Sequence, residues 1–276
     1  RTPNFSVPAQ QEPLAPESVR EHKDNFAELR QMARDSAFGI AWESTANSAL
    51  DATPDQREAA YDERWRNGGT AFLVAYADLI TSKESNDTAR DFFHAKIRET
   101  VEDPAVAALL SPTDHPVSTK RICVDTDYYG TYNRDNVTLV DISDAPIEAI
   151  TPKGVRTGGI EYEFDAIVFA TGFDAMTGAL LKVDFRGRNG QTLQEKWEDG
   201  PRTFLGLSTA GFPNLFMITG PGSPSVLSNM LVSIEQHVDW IKDCMQHMRE
   251  RDLDTIEATV EAENAWVQHV HDAGQE

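Results

Sequence analysis

The feature that most restricts the fold is a run with no polar side chain, Ala166-Ile167-Val168-Phe169-Ala170, stopped by Thr171-Gly172. A strand buried on both faces shows continuous rather than alternating hydrophobicity, and such strands belong to parallel sheets covered by helices. The run therefore predicts an α/β protein with the C-terminal edge of a sheet at Thr171-Gly172, the edge where α/β proteins bind ligands. Gly172 tolerates positive φ and lets backbone approach a flat cofactor closely; an ordinary strand end with a glycine turn fits the spacing equally well. A second run, Leu215-Phe216-Met217-Ile218-Thr219, predicts another buried strand. The loop Gly220-Pro221-Gly222-Ser223-Pro224-Ser225 follows, then a helix from about Val226 with Leu227, Leu231, Ile234, Val238 and Ile241 on one face. Free N–H groups at that helix start favour negative charge, though a capped helix after a strand is the plainer reading.

Upstream the periodicity is different. Residues 1–13 hold three prolines and a short apolar run, Phe5 to Val7, suited to a strand end entering a linker. From Pro16 to about Leu110 the spacing is helical: Val19, Phe26, Leu29 and Ala33 mark one helix, and Pro54-Asp55 opens another through Tyr61 and Trp65, ended by Gly68-Gly69. Phe72, Tyr76, Leu79 and Ile80 mark the next, and Phe92, Phe93, Ile97 and Val101 a fourth, stopped before Pro104. Beyond Pro116 the runs are short and β-rich, at Ile122 and Val124, Val137–Val140 and Ile147–Ile150, and residues 147–164 read as a β-meander.

Composition narrows the functions. The 276 residues carry 25 Lys+Arg against 45 Asp+Glu, a net charge of −20, and contain no basic run. A phosphate backbone needs cationic partners, so nucleic acid is not an expected partner. With 25% charged residues the chain is not expected in a membrane. Cys123 and Cys244 are far apart, without metal-ligand spacing, and fit a reducing compartment, so a cytoplasmic location is expected. The chain opens at Arg1 without Met and reads as an excerpt of a longer polypeptide.

Among polar residues, Ser118-Thr119-Lys120-Arg121 enters a strand, on which neighbouring side chains point to opposite faces, so Lys120 and Arg121 could serve two sites. Two solvated cations at a strand edge is the better reading without context. The histidines form no HxxxH or HExxH pattern, and no metal site is expected.

Several stretches taken together carry a resemblance. Arg1-Thr2-Pro3-Asn4-Phe5, Thr119-Lys120-Arg121, Asp127-Tyr128-Tyr129, Tyr132-Asn133-Arg134-Asp135-Asn136-Val137, Phe169-Ala170-Thr171-Gly172-Phe173-Asp174, Gly206–Asn214 and Gly220–Ser225 occur in the order found in flavin-dependent Baeyer–Villiger monooxygenases of the phenylacetone and cyclohexanone type. The chain resembles the C-terminal two-thirds of such an enzyme through essentially all its length. The resemblance implies FAD as bound cofactor and NADPH as reductant, with O2 giving a peroxyflavin that converts a ketone to an ester or lactone. It places Arg1, Thr2 and Lys120 at the 2′-phosphate of NADPH and makes Arg121 the active-site arginine. Ser225, Val226 and Leu227 match a loop lining the substrate pocket, Met230 a position beside the flavin, and Thr171 and Gly172 a cofactor-binding strand end.

The departures are also specific. Both GxGxxG fingerprints, the FxGxxxHxxxW-type signature and the acidic partner of the active-site arginine lie upstream of Arg1 in the family, and a C-terminal segment contacting NADP is absent. The expected organisation is an α/β fold built from parts of two Rossmann-like dinucleotide-binding domains with an α-helical insertion. Residues 1–8 and 117–173 belong to the NADP-binding part, 9–116 form the insertion, and 174–276 are the C-terminal part of the FAD-binding domain. By itself such a chain is expected to be inactive. The competing readings are a related monooxygenase that oxidises N or S and a non-catalytic acidic interaction protein.

Overall fold

Runs of helices are interrupted by a few short strands along the chain, which the computed structural model describes for residues 3–36, 38–42, 45–223 and 228–275. In order these are β1 (Ser6–Pro8), α1 (Pro16–Asp24), α2 (Phe26–Asp35), α3 (Pro54–Asn67), a 3₁₀ turn (Thr70–Val74), α4 (Lys83–Thr100), α5 (Pro104–Leu110) and β2 (Cys123–Asp125). There follow β3 (Ile147–Ile150), β4 (Gly154–Thr157), β5 (Ile160–Glu163), α6 (Gly178–Leu181), α7 (Leu193–Lys196), α8 (Met230–Glu250) and α9 (Val260–Ala273). The chain divides into two units: Arg1–Val19 with Trp42–Phe169, and Arg20–Ala41 with Ala170–Glu276.

In the first unit local chemistry sets the helix ends. Thr53 caps α3 reciprocally with Gln56: Gln56 N donates to Thr53 Oγ1 at 3.3 Å and Thr53 N to Gln56 Oε1 at 2.9 Å. Pro54 follows at the first helical position, where its missing N–H costs nothing. The helix stops at Gly68, whose φ of +67° and whose hypothetical Cβ, 2.4 Å from Pro8 O, both demand glycine. Tyr61, Phe72 and Phe93 bury their rings with Phe5 and Val7 of the β1 segment, the Phe72–Phe93 centroids lying 4.7 Å apart. Burial pushes the Tyr61 hydroxyl up to about 12, although it is hydrogen-bonded to Thr88 Oγ1 at 2.8 Å. β1 and β2 run parallel with Ser6 opposite Cys123 and Pro8 opposite Asp125. The expected meander is present as β3-β4-β5, all antiparallel. Gly158 and Gly159 link β4 to β5 with positive φ at both positions, the requirement of a type I′ hairpin turn.

The second unit packs around Leu193, Trp197, Phe212 and Met217. Arg30 of α2 is paired with Glu235 of α8, and Arg34 lies 3.9 Å from the same carboxylate. From α9, Glu263 is wholly buried, accepting Thr209 Oγ1 at 2.9 Å and Ala210 N at 2.8 Å with Lys196 Nζ 2.9 Å away.

Several sequence expectations are corrected. The run 166–170 forms no strand among the described residues: Val168 is 87% exposed, Phe169 67% and the following Phe173 99%. A strand exists only through hydrogen bonds to a neighbour, and no described residue pairs with this run. Residues 215–219 and 137–140 are likewise not strands. Met217 is buried by the turn around Leu207, whose carbonyl it binds through its N–H at 2.8 Å, while Ile218 is exposed. The helix expected around Phe72 and Tyr76 is a single 3₁₀ turn. The helix expected from Val19 to Ala33 is broken at Asn25, and Phe26 is exposed. α8 begins at Met230 behind the cap Asn229, and it buries Ser233 and His237 rather than the apolar stripe, since Leu231 is 70% exposed.

Candidate functional site

The candidate cations stand where the segment entering β2 runs beside the segment entering β1. A tight turn precedes them: Ser118 has a φ of +78° and Val117 and Lys120 form an isolated bridge across it. Buried Asn86 of α4 fixes that turn, donating from Nδ2 to Val117 O at 2.9 Å and accepting Val117 N at 2.8 Å. β2 starts at Cys123, so Lys120 and Arg121 sit on the turn's exit rather than within a strand; both are exposed.

Asn4 ties the two segments together. Its Nδ2 donates to the main-chain carbonyl of Arg121 at 2.8 Å, while its Oδ1 accepts the Phe5 N–H at 2.9 Å. Tyr129 Oη donates to Asn4 O at 3.2 Å, and burial pushes that hydroxyl well above its usual range. The ring of His115 is nearly buried edge-on against Phe5, with Nδ1 2.6 Å from Asp114 Oδ1 and Nε2 3.4 Å from Asn4 Oδ1. Asp114 Oδ2 in turn lies 3.6 Å from Lys120 Nζ. The hydrogen bond from His115, aided by the Lys120 charge, holds the Asp114 carboxyl below its usual range. The Arg121 guanidinium makes no ion pair among the described residues. A cleft of about 910 Å³ opens nearby between Asn4, Ser6, Asp125, Tyr128 and Tyr132, but neither cation lines it.

Lys120 and Arg121 both stand on the first unit, where Asn4 holds the Arg121 carbonyl and Asp114 faces Lys120. Thr171, Gly172 and Met230 belong to the second. Gly172 has a φ of +86° and open space around it, and Thr171 is exposed. Met230 is half-buried at the first turn of α8. The loop before it is anchored as far as Ser223: Thr203 Oγ1 donates to Pro221 O at 2.6 Å and Trp266 Nε1 to Gly222 O at 3.1 Å. Arg1, Thr2, Ser225, Val226 and Leu227 lie outside the described residues.

Asn4, Asp114 and His115 escaped the sequence reading as site residues. Asn4 stood inside a recognised motif, and Asp114-His115 precedes the cation pair by only a few residues. An acidic residue that close to two cations was the available signal. Among the described residues there is no group of side chains that could hold a metal ion and no helix long and apolar enough to cross a membrane.

No protein-family model matches the chain. It is 37% identical over 272 residues to a 2-oxo-Δ3-4,5,5-trimethylcyclopentenylacetyl-CoA monooxygenase of Pseudomonas putida, covering 98% of this chain and 50% of that protein. Cyclohexanone 1,2-monooxygenase of an Acinetobacter species is 36% identical, with 97% and 49% covered. A phenazine N-monooxygenase of Lysobacter antibioticus is 38% identical, with 96% and 49% covered. Among solved structures, oxidised steroid monooxygenase bound to NADP superimposes with a TM-score of 0.90 at 49% identity over 97% of this chain and 51% of its own. OTEMO in complex with FAD and NADP gives 0.95 at 36% identity over 100% and 52%. The mixed helix-and-strand architecture expected from the sequence therefore matches those enzymes, and the chain spans about half the length of the curated relatives it matches.

Proposed function

We propose that this chain, which belongs by sequence with the Baeyer–Villiger monooxygenases, supplies the phosphate-binding cation and active-site arginine of an FAD- and NADPH-dependent ketone monooxygenase. The observation that carries the reading is the exposed pair Lys120-Arg121, anchored by Asn4 at the Arg121 carbonyl, on a chain of net charge −20. On so acidic a surface, a guanidinium with no ion pair among the described residues is available to an anionic ligand.

The donors fit the coenzyme. Lys120, with Arg1 and Thr2, would hold the 2′-phosphate of NADPH. Arg121 keeps its proton throughout and would stabilise negative charge as it develops on oxygen at the reacting ketone. Thr171, Gly172 and Met230 would border the flavin, and Ser225, Val226 and Leu227 would line the ketone's pocket. When bound, FAD supplies oxygen activation and NADPH the reducing hydride. The 276 residues contain no GxGxxG turn for the FAD phosphates, so by itself the chain would be inactive. We assign 1–8 and 117–173 to the NADP-binding part, 9–116 to a helical insertion and 174–276 to the FAD-binding part, in a cytoplasmic enzyme.

The test is a chimera in which this chain replaces the matching half of the Acinetobacter cyclohexanone 1,2-monooxygenase. It should consume NADPH and O2 and turn cyclohexanone into the ring-expanded lactone. Arg121→Ala should lower kcat by about 10²–10³, with reducing equivalents lost to hydrogen peroxide. The Lysobacter relative favours N-oxidation as a second reading. Aromatic-amine N-oxide formation with no lactone would establish that alternative and reject ours.

A further inference from the structure

We propose that Asp114 is a specificity-determining residue for the coenzyme, acting through Lys120 by holding a fixed carboxylate against the cation that the 2′-phosphate must engage. The inference rests on the reading of Lys120 given above and deepens it.

The geometry is asymmetric. Asp114 Oδ1 is 2.6 Å from Nδ1 of His115, whose side chain is only 5% exposed, whereas Asp114 Oδ2 is 3.6 Å from Lys120 Nζ. The carboxylate is therefore tied to the rigid side. His115 sits edge-on to fully buried Phe5 and faces Asn4, so its ring cannot swing away without disturbing that packing, and Asp114, with a half-exposed side chain, is held to it by the hydrogen bond. The Lys120 ammonium is at the end of a flexible four-carbon stem, at a separation too long for a tight hydrogen bond, and is the partner free to move. The backbone holds it close: Asn86 pins Val117, and the turn returns the chain at Lys120.

An arriving phosphate dianion meets Lys120 and the Asp114 charge together. It gains the ammonium only by drawing it off a carboxylate that stays in place, and it is repelled by that carboxylate over a few ångström. A ligand without the 2′-phosphate meets neither effect. Asp114 thus weakens binding of the phosphorylated coenzyme selectively, narrowing the preference that Lys120 creates. His115 is the positioning residue that makes the restraint persistent.

The test uses the chimera described above and two probes, adenosine 2′,5′-bisphosphate and 5′-AMP, with dissociation constants from calorimetric titration at low salt. Asp114→Asn keeps an oxygen acceptor for His115 Nδ1–H and removes the charge. It should tighten the bisphosphate by about three- to tenfold and leave 5′-AMP unchanged, and the gain should shrink in about 0.5 M salt. Asp114→Ser should move binding in the same direction, and Lys120→Ala should abolish the gain. Unchanged bisphosphate binding in both Asp114 variants, equal tightening of both probes, or a gain that survives Lys120→Ala would overturn the proposal. If Lys120→Ala alone weakens the bisphosphate while the Asp114 variants do nothing, only this inference falls. If Lys120→Ala leaves the bisphosphate unaffected, or no variant binds it, the phosphate reading of Lys120 falls with it.

Discussion

Glu263 Oε2 lies 2.9 Å from Lys196 Nζ, and the carboxylate is fully buried while its other oxygen accepts Thr209 Oγ1 and Ala210 N. One α9 side chain thus fastens both α7 and the segment around Thr209. Removing it would leave a cation largely buried without its partner and the Ala210 N–H unsatisfied, while the Thr209 hydroxyl keeps the Arg202 carbonyl at 2.8 Å. Glu263→Ala should cost about 3 kcal/mol of stability, read as a lower urea midpoint. Glu263→Gln keeps an acceptor for Thr209 and Ala210 and should cost clearly less. Equal losses in the two variants would mean that the ion pair, not the loop clasp, accounts for the effect.

Gly68 and Gly69 have similar backbone torsions, with φ of +67° and +69°, but different surroundings. A Cβ at Gly68 would stand 2.4 Å from Pro8 O, and one at Gly69 would meet nothing within 4 Å. Gly69→Ala should cost about 2 kcal/mol, from torsional strain alone, because its ψ of −177° puts it in a region essentially reserved for glycine. Gly68→Ala should cost about 3 kcal/mol or more, because backbone of the β1 segment must also shift. Thermal unfolding of the two variants side by side checks the difference.

His237 Nδ1 accepts the Thr219 N–H at 3.0 Å, and burial lowers the tendency of the ring to protonate. The folded pKa is therefore below the unfolded value of about 6.5. The sign follows: between the two values the unfolded chain binds more protons, so this contribution is complete above about pH 6.5 and is lost as pH falls toward the folded pKa. Asn at this position offers a neutral acceptor that does not titrate. The stability difference between wild type and His237→Asn should shift in favour of Asn on going from about pH 7.5 to pH 5. A difference independent of pH would show that the ring does not titrate differently on folding.

The exposed run from Val168 to Phe173 predicts self-association of the chain when purified alone. Sedimentation velocity should show concentration-dependent oligomers, reduced by Phe169→Lys with Phe173→Asp. The same preparation should be colourless, since no phosphate-binding glycine turn is present to hold FAD. Stoichiometric flavin absorption would contradict this.

The sequence by itself determined whatever depends on neighbours along the chain. Thr53, Pro54, Gln56 and Gly68 delimit α3, and Gly158-Gly159 turns the meander, because caps and tight turns are satisfied within a few residues. It also carried the family resemblance and the cation pair Lys120-Arg121. Tertiary structure decided the rest. The run 166–170 has strand composition, but a strand needs a partner's hydrogen bonds and no described residue provides them. The stripe Leu231, Ile234, Val238 and Ile241 has helical spacing, yet what α8 buries is set by what packs against it, and Ser233 and His237 are the residues covered. Likewise Asp114 becomes a partner of Lys120 only because Asn86 and the Val117–Lys120 turn bring it there, and Asn4 reaches Arg121 across more than a hundred residues of chain. Through-space charge and long-range hydrogen bonds leave no periodic trace in sequence, so only the folded backbone could supply them.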